Sequence, residues 1–167
     1  MVFCQEYQTD EGLKEILLKI KEMPYYPPYT GDAEYWELVK KGLIIIPDLI
    51  SLMDDTTLTE AVVPNFGGNY SIADKAYSVI CDIIDGIPTL DFIPTEKNEF
   101  NKLGFYIYWN YVRESIDNRI KFQNSFKDWY QLNKNNMVWT KDNEVVHNGK
   151  NNSPKTHPAG GYYRVLK

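Results

Sequence analysis

Apolar side chains recur at helical spacing along most of the chain, and this pattern predicts a mainly helical protein. In the first periodic stretch, Leu13, Leu17 and Ile20 stand at positions i, i+4 and i+7, which places them on one face of a helix. Proline and glycine separate the periodic stretches, as is typical of helix ends. The predicted helices span residues 10–22, 33–41, 47–53, 71–85, 99–117 and 119–132.

The apolar run at residues 42–53 contains a proline, yet it still predicts a helix. Its apolar residues keep the helical spacing, and Pro47 falls in the first turn, where a missing N–H would have no partner in any case. Asp54 and Asp55 follow at the C-terminal end, where the helix dipole disfavours negative charge. We therefore expect both carboxylates to face solvent or to cap the following turn.

The predicted helix at residues 71–85 carries a wide apolar stripe. Ser71 stands at its start, and Asp74 follows three residues later, at the distance that a capping box requires. Cys81 falls within the apolar stripe, so we expect it to behave as a small buried hydrophobe.

Residues 56–70 show no helical periodicity and are predicted to form a long irregular insert between two helices. Connections of this length are uncommon in compact domains unless they bind something or lack order. The C-terminal part is expected to be extended, with a small hairpin centred on Asp142 and Asn143 and a short extended segment at residues 162–166.

The expected organisation is a single domain at residues 5–167. Its helical part spans residues 9–134, and its extended tail spans residues 135–167. A chain of 167 residues is long enough to bury one substantial core, and no apolar run approaches the roughly 18 residues of a membrane span. The expected fold class is therefore all-α with a small β tail.

The first four residues raise a question of processing. Val2 and Cys4 occupy the −3 and −1 positions of a signal-peptidase site if cleavage precedes Gln5. Residues 1–4 would then be the remnant of a signal peptide, and the protein would be periplasmic or secreted. The alternative is a cytoplasmic protein that starts at Met1, because no hydrophobic segment in the chain proves export.

The net charge of −5 conceals two portions of opposite sign. Residues 1–99 carry 18 acidic and 7 basic side chains, whereas residues 100–167 carry 5 acidic and 11 basic ones. An acidic N-terminal portion repels nucleic acid and favours a cationic protein partner. The alternative is that both portions are ordinary solvated surfaces.

Residues 33–86 resemble HEAT (ARM-type) repeats, in which a helix with a Pro-x-Leu start ends at an aspartate-containing turn. The residues that carry this resemblance are Pro47, Leu49, Leu52, Asp54, Ala76, Val79 and Ile83. The remainder is similar to small helical proteins exported by bacteria of the Bacteroidetes type. The resemblance implies antiparallel helical hairpins and a surface that binds proteins or peptides. The chain departs from the pattern in its insert and in lacking a basic residue early in the second helix.

No arrangement of residues in the sequence indicates catalysis. His147 and His157 lie in the polar tail without partners at the spacing of metal ligands, so they indicate neither a zinc site nor a catalytic triad. The adjacent acids Asp54 and Asp55 are more typical of solvated side chains than of acid–base catalysis. We therefore expect no enzyme activity, no cofactor and no metal.

Two surfaces are candidates for binding a partner. Loops held by a rigid scaffold concentrate binding residues, which favours the insert and the acids beside it. This first surface consists of Asp54, Asp55, Glu60, Phe66 and Tyr70. Tyrosine and tryptophan are enriched at interface hot spots, which favours the aromatic segment before the second helix. This second surface consists of Tyr25, Tyr29 and Trp36.

The function expected from these observations is that of a non-enzymatic protein-binding module of the bacterial cell envelope. The specific form of this hypothesis is an immunity protein that neutralises a secreted antibacterial toxin. One alternative is a carbohydrate-binding or carbohydrate-active envelope protein, in which the tyrosines stack against sugars. A second alternative is a structural component of the envelope. The sequence does not indicate an oligomeric state.

Overall fold

The computed structural model describes residues 10–24, 29–94, 106–142 and 156–166, with the side chains described from residue 12. The α-helices are α1 (Asp10–Lys19), α2 (Ala33–Lys40), α3 (Ile46–Ser51), α4 (Ile72–Ile83), α5 (Tyr106–Glu114) and α6 (Ile116–Asn133). The strands are β1 (Leu58–Val62), β2 (Asn69–Ser71), β3 (Ile84–Asp85), β4 (Met137–Lys141) and β5 (Gly161–Val165). Short 3-10 turns lie at Gly42–Ile45, Thr89–Phe92 and Lys134–Asn136.

The fold is a mixed α/β arrangement, so the prediction of an all-α, HEAT-like set of helical hairpins is wrong. The α-helices and the 3-10 turns together account for 57% of the described residues and strands for 16%, and the strands form two small sheets. The helices themselves fall close to the predicted positions. The part of the fifth predicted helix at residues 99–105 lies outside the described residues.

Helix α4 is the centre of the core. Nine of its 12 residues are buried, and it contacts α1, α2 and α3. Its predicted capping box is present: the N–H of Asp74 donates to Ser71 Oγ at 3.2 Å, and the N–H of Ser71 donates to Asp74 Oδ2 at 2.9 Å. A helix packed on most sides needs apolar residues around most of its circumference, which explains the width of its apolar stripe.

The insert at residues 56–70 is an ordered antiparallel hairpin of β1 and β2, not an irregular loop. Thr59 and Ala61 of β1 face inward, whereas Leu58 and Val62 face outward. Leu58, Thr59 and Val62 thus break the usual alternation of apolar inward and polar outward, which only Glu60 and Ala61 follow. Because alternation of that kind is what reveals a half-buried strand in a sequence, the pattern gave no strand signal here.

The second sheet has the strand order β3–β5–β4. Strand β4 pairs antiparallel with β5, and β3 pairs parallel with the other edge of β5. Strand β4 therefore pairs with β5 and not with the residues that follow Asn143, so the predicted hairpin centred on Asp142 and Asn143 is wrong. Asn143 itself lies outside the described residues. Asp142 instead accepts a hydrogen bond from the N–H of His157 at 2.6 Å, and its own N–H donates to Gly160 O. These bonds join the segment that leaves β4 to the segment that enters β5.

Gly161 permits the close approach of β4 to β5. A Cβ atom at this position would lie 2.3 Å from the carbonyl oxygen of Thr140 and 2.9 Å from the ring of Trp139. We expect Gly161→Ala to lower the free energy of unfolding by about 1–3 kcal/mol, since the two strands must move apart. Urea denaturation followed by tryptophan fluorescence measures this, and Arg164→Ala on the same strand is the control. Equal losses in the two variants would contradict the role of the close approach.

None of the helices in the part of the chain that the structure describes combines the length and the apolar character needed to cross a membrane.

Candidate functional site

The β1–β2 hairpin brings two of the predicted site residues together against α5. The ring of Tyr70 lies edge-on to that of Trp109, with 5.5 Å between centroids. Phe66, in the turn of the hairpin, stacks on Tyr106 at 5.5 Å and lies 6.0 Å from Trp109. These aromatic contacts fix the hairpin to the helix, so the predicted insert has a defined shape.

Arg113 occupies the angle between the hairpin and α5. Its guanidinium lies over the rings of Trp109 and Phe66, at 4.8 and 5.2 Å from their centroids. It also donates to the carbonyl oxygen of Asn69 at 3.1 Å. Its side chain remains 23% exposed. The aromatic rings and the hydrogen bond therefore hold a partly exposed cation in one position.

Asp74 connects the hairpin, α4, α5 and α6 through one buried carboxylate. It accepts hydrogen bonds from Arg113 at 3.2 Å and from Arg119 at 2.9 Å, in addition to the N–H of Ser71. Both Asp74 and Arg119 are buried. The sequence indicated Asp74 as a helix cap but gave no sign of its arginine partners, which come from helices about 40 residues further along the chain.

A groove of about 340 Å³ lies between the hairpin and the corner where α5 meets α6. Its lining residues are Thr56, Leu58, Gly68, Asn69, Ser71, Asp74, Val112, Arg113, Ser115, Ile116 and Arg119. We call this feature the hairpin groove. Two of its apolar residues are unusually accessible, Leu58 at 70% and Ile116 at 49%. None of the predicted site residues lines the hairpin groove directly, although Phe66 and Tyr70 hold its hairpin wall in place.

Two of the three acidic residues of the first predicted surface, Asp55 and Glu60, form ion pairs within the protein. Asp55 lies 2.6 Å from the Nζ of Lys14, and Glu60 lies 2.9 Å from the Nζ of Lys21. Burial raises the pKa of Asp55, but hydrogen bonds from Lys14 and Thr57 outweigh it, so that pKa lies below its usual value. Asp55 also caps the following turn, as predicted, by accepting from the N–H of Thr57. The local negative charge is thus largely compensated, which weakens the electrostatic argument for a cationic partner.

The second predicted surface is mostly packed into the protein. Trp36 is buried, and its Nε1 donates to Thr30 O at 3.1 Å. Its ring contacts those of Tyr29 at 5.9 Å and His157 at 5.4 Å. His157 belongs to a segment that is polar in sequence, yet it is buried because it packs among these rings. Tyr25 lies outside the described residues, and Trp36 has little surface left for a partner.

Within residues 10–24, 29–94, 106–142 and 156–166, no group of three or more His, Cys, Asp or Glu side chains is placed to hold a metal ion. Burial raises the pKa of the Cys81 thiol to about 12, so this thiol carries almost no thiolate at neutral pH.

Comparison of the chain with protein-family models, with curated proteins and with solved structures gives no match. Membership of the HEAT-like family of exported bacterial proteins therefore stays a prediction. The all-α architecture that this resemblance implied is wrong, because the fold contains two sheets.

Proposed function

We propose that the protein is a non-catalytic protein-binding module and that the hairpin groove is its binding surface. The observation that carries this proposal is the accessibility of apolar side chains at the rim of the groove. Leu58 and Ile116 line it, and Val62 extends the same exposed strand face at 65%. Exposed apolar side chains around a concave surface are typical of sites where a partner docks.

The position of Arg113 supports the same proposal. Arginine is enriched in interfaces and their hot spots. Its Nη2 is already bound to Asn69 O and Asp74, so what Arg113 offers a partner is the exposed remainder of its guanidinium. Binding costs free energy when a flexible side chain must be immobilised. The rings of Phe66 and Trp109 already hold the guanidinium in place before a partner arrives, so this cost is small.

The more specific role that we propose is that of an immunity protein in the cell envelope. This part rests on the sequence: small size, acidic bias, and a candidate signal-peptide remnant at residues 1–4. The carbohydrate alternative would require solvent-facing aromatic rings for sugar stacking. Among the predicted tyrosine and tryptophan site residues that the structure describes, Trp36 and Tyr70 are buried, which favours the protein-binding proposal.

A matched pair of leucine variants tests the hairpin groove. We expect Leu58→Lys to weaken binding about tenfold or more, because it places a charge where the partner buries apolar surface. Leu132→Lys is the control, since Leu132 is 79% exposed but lies near the other end of α6. The measurement is the Kd for a protein partner purified from the native host by affinity to the wild-type chain.

Two results would contradict the proposal. One is equal affinity of the Leu58→Lys variant and the wild type. The other is a comparable loss of affinity in both lysine variants, which would mean that added positive charge, not the groove, is responsible. To test the immunity role, the gene of the purified partner is expressed in cells, once alone and once together with the gene of this protein. Toxicity that the chain relieves supports the role, and a partner without toxicity rejects it.

A further inference from the structure

Two arginines of the hairpin groove share a single carboxylate. Asp74 pairs with Arg113 at 3.2 Å and with Arg119 at 2.9 Å. No other lining residue carries a charge, so two positive charges and one negative charge leave the lining with a net charge of +1. Among the residues that the structure describes, neither arginine has a second acidic partner. The hairpin groove is therefore locally positive in a protein whose net charge is −5.

The acidic residues next to the groove in the chain do not cancel this charge. Glu114 and Asp117 are exposed, and neither lines the hairpin groove. The Oε2 atom of Glu114 accepts a hydrogen bond from Asn118 at 2.9 Å. Water and salt screen exposed charges, whereas a charge in a groove with apolar walls is screened less. The positive charge therefore remains effective inside the groove.

Both arginines keep N–H groups that no acceptor in the described part of the chain uses. Arg119 is buried, and its side chain makes one hydrogen bond, from Nη1 to Asp74. The Nε of Arg113 is buried without an acceptor, and its Nη1 has only a 3.4 Å contact with Gly67 O. A guanidinium offers more donors than these bonds use, and unpaired donors away from water cost free energy. An anion in the groove would accept from the accessible donors and balance the remaining charge.

The N-terminus of α6 favours the same sign of ligand charge. Ser115 caps this helix by accepting from the N–H of Asn118 at 3.1 Å, and both Ser115 and Ile116 line the groove. The N–H groups of a first helical turn lack partners within the helix and carry partial positive charge. The helix end and the arginines thus act in the same direction.

We propose that the hairpin groove binds an acidic side chain, aspartate or glutamate, within an apolar segment of the protein partner. This inference rests on the proposed function, because it names the chemistry that the same groove recognises. A carboxylate carries one negative charge and balances the lining, whereas a phosphate group carries roughly 1.5–2 negative charges near neutral pH. The inference concerns one side chain of the partner and not the partner's net charge.

Apolar side chains on both walls indicate that the acid lies within a segment and not at its end. Leu58 stands on the hairpin wall and Ile116 on the helical wall, and both are exposed. A residue inside a chain has neighbours on two sides, which can cover both walls, whereas a C-terminal carboxylate has chain on one side only. These neighbours also exclude water, and a charge pair is stronger where water is excluded.

Matched tripeptides test the charge preference by isothermal titration calorimetry. The peptides are acetylated and amidated Leu-Glu-Leu and its analogues with glutamine and lysine in the centre. We expect the glutamate peptide to bind with a Kd in the millimolar range or below, the glutamine peptide to bind at least about tenfold more weakly, and the lysine peptide more weakly still. Equal affinity for the glutamate and glutamine peptides would overturn the proposal. So would the absence of binding of the glutamate peptide up to about 10 mM.

Two other anions test the choice of an internal carboxylate. One is acetylated Leu-Gln-Leu with a free C-terminal carboxylate, and the other is inorganic phosphate. Both should bind more weakly than the glutamate peptide. Tighter binding of the terminal carboxylate would overturn the choice of an internal side chain, and tighter binding of phosphate would overturn the choice of a carboxylate.

Arg113→Met removes the excess charge from the groove. It leaves Asp74 paired with Arg119, one charge each, so the fold should be retained. Affinity for the glutamate peptide should then fall about tenfold or more, to that of the glutamine peptide. Arg164→Met is the control, because it removes the same charge from an exposed pair on β5. Unchanged affinity in the Arg113 variant, or equal losses in the two variants, would contradict the proposal.

A salt series on the wild type decides the matter if Arg113→Met does not fold. Raising the NaCl concentration from about 20 mM to about 500 mM should weaken binding of the glutamate peptide and leave that of the glutamine peptide nearly unchanged. The same response of both peptides to salt would count against a charge interaction in the groove.

The partner purified from the native host separates this inference from the proposed function. Leu58→Gln removes apolar surface from the groove without altering its charge, so it reports whether the partner uses the groove. If Leu58→Gln weakens partner binding and Arg113→Met does not, the groove is the binding surface and only the acidic side chain is rejected. Losses of about tenfold or more in both variants support both proposals. If neither variant weakens binding, the proposed function fails, and the acidic side chain of the partner fails with it.

Discussion

The Asp74→Asn variant is expected to lose about 3–5 kcal/mol of unfolding free energy, because it leaves buried arginine charge without its carboxylate. Asp74 is almost completely buried and accepts hydrogen bonds from Arg113, Arg119 and the N–H of Ser71. Asparagine keeps the size of the side chain but removes the charge that compensates Arg119. Urea denaturation measured by circular dichroism gives the free energy of unfolding.

Asp85→Asn makes the same chemical change in an exposed ion pair. Asp85 pairs with Arg164, and their side chains are 44% and 53% exposed. Exposed pairs contribute little, so this variant should lose less than about 1 kcal/mol. Comparable losses at Asp74 and Asp85 would show that burial does not set the strength of the Asp74 interactions.

The second large effect concerns the pH dependence of stability, and its source is Lys75. This side chain is fully buried and donates to the carbonyl oxygens of Leu17, in the last turn of α1, and Ile20, just after its end. Burial lowers its pKa to about 8, from an ordinary value of 10.5. Between these values the unfolded chain binds more protons than the folded one, so the contribution of Lys75 to the free energy of unfolding increases with pH. The increase amounts to about 3 kcal/mol over the interval.

Lys75→Met isolates this contribution, because methionine keeps an unbranched side chain but does not titrate. Other buried groups titrate in the same range, so the quantity to measure is the difference between wild type and variant. Urea denaturation at pH 8, 9 and 10 should show that this difference shifts in favour of the wild type by about 2–3 kcal/mol as the pH rises. A difference that stays constant with pH would mean that Lys75 keeps an ordinary pKa in the folded protein.

The helices were predictable because their evidence is local. Each one carries apolar residues at a spacing that the sequence shows directly, and caps such as Ser71 lie next to what they cap. Even Pro47 was consistent with α3, since it stands in the first turn. Apart from the start of α5, whose predicted residues 99–105 lie outside the described ones, the helix boundaries agree with the predicted ones to within a few residues.

Strands β4 and β5 fall in segments that were predicted to be extended, whereas the strands before them were missed, and β1 and β3 show two different physical reasons. Strand β1 directs Leu58 and Val62 outward, so its polarity contradicts the usual pattern of a half-buried strand. Strand β3 has only two residues, and its partner β5 lies about 80 positions along the chain. No local pattern identifies a pairing of that kind, because the partner is chosen by how the helices between them pack.

The sequence predicted the position of the candidate site better than it predicted the chemistry of the site. The segment at residues 56–70 does form one wall of a groove, but the charges expected there are paired with Lys14 and Lys21. Arg113 was not predicted at all, because its importance comes from rings and carbonyl groups on the hairpin.

The position of β5 between β3 and β4 also has a consequence for biosynthesis. Both outer strands leave the ribosome before the central strand that joins them, and they have no pairing with each other. Because the ribosome adds roughly 5–20 residues per second, several seconds pass between the synthesis of β3 and that of its partner β5. During that interval α1 to α4 and the β1–β2 hairpin have all been synthesised, whereas the edges of β3 and then β4 stay open. Open strand edges are templates for aggregation, so the nascent chain is most in need of protection just before residues 161–165 emerge.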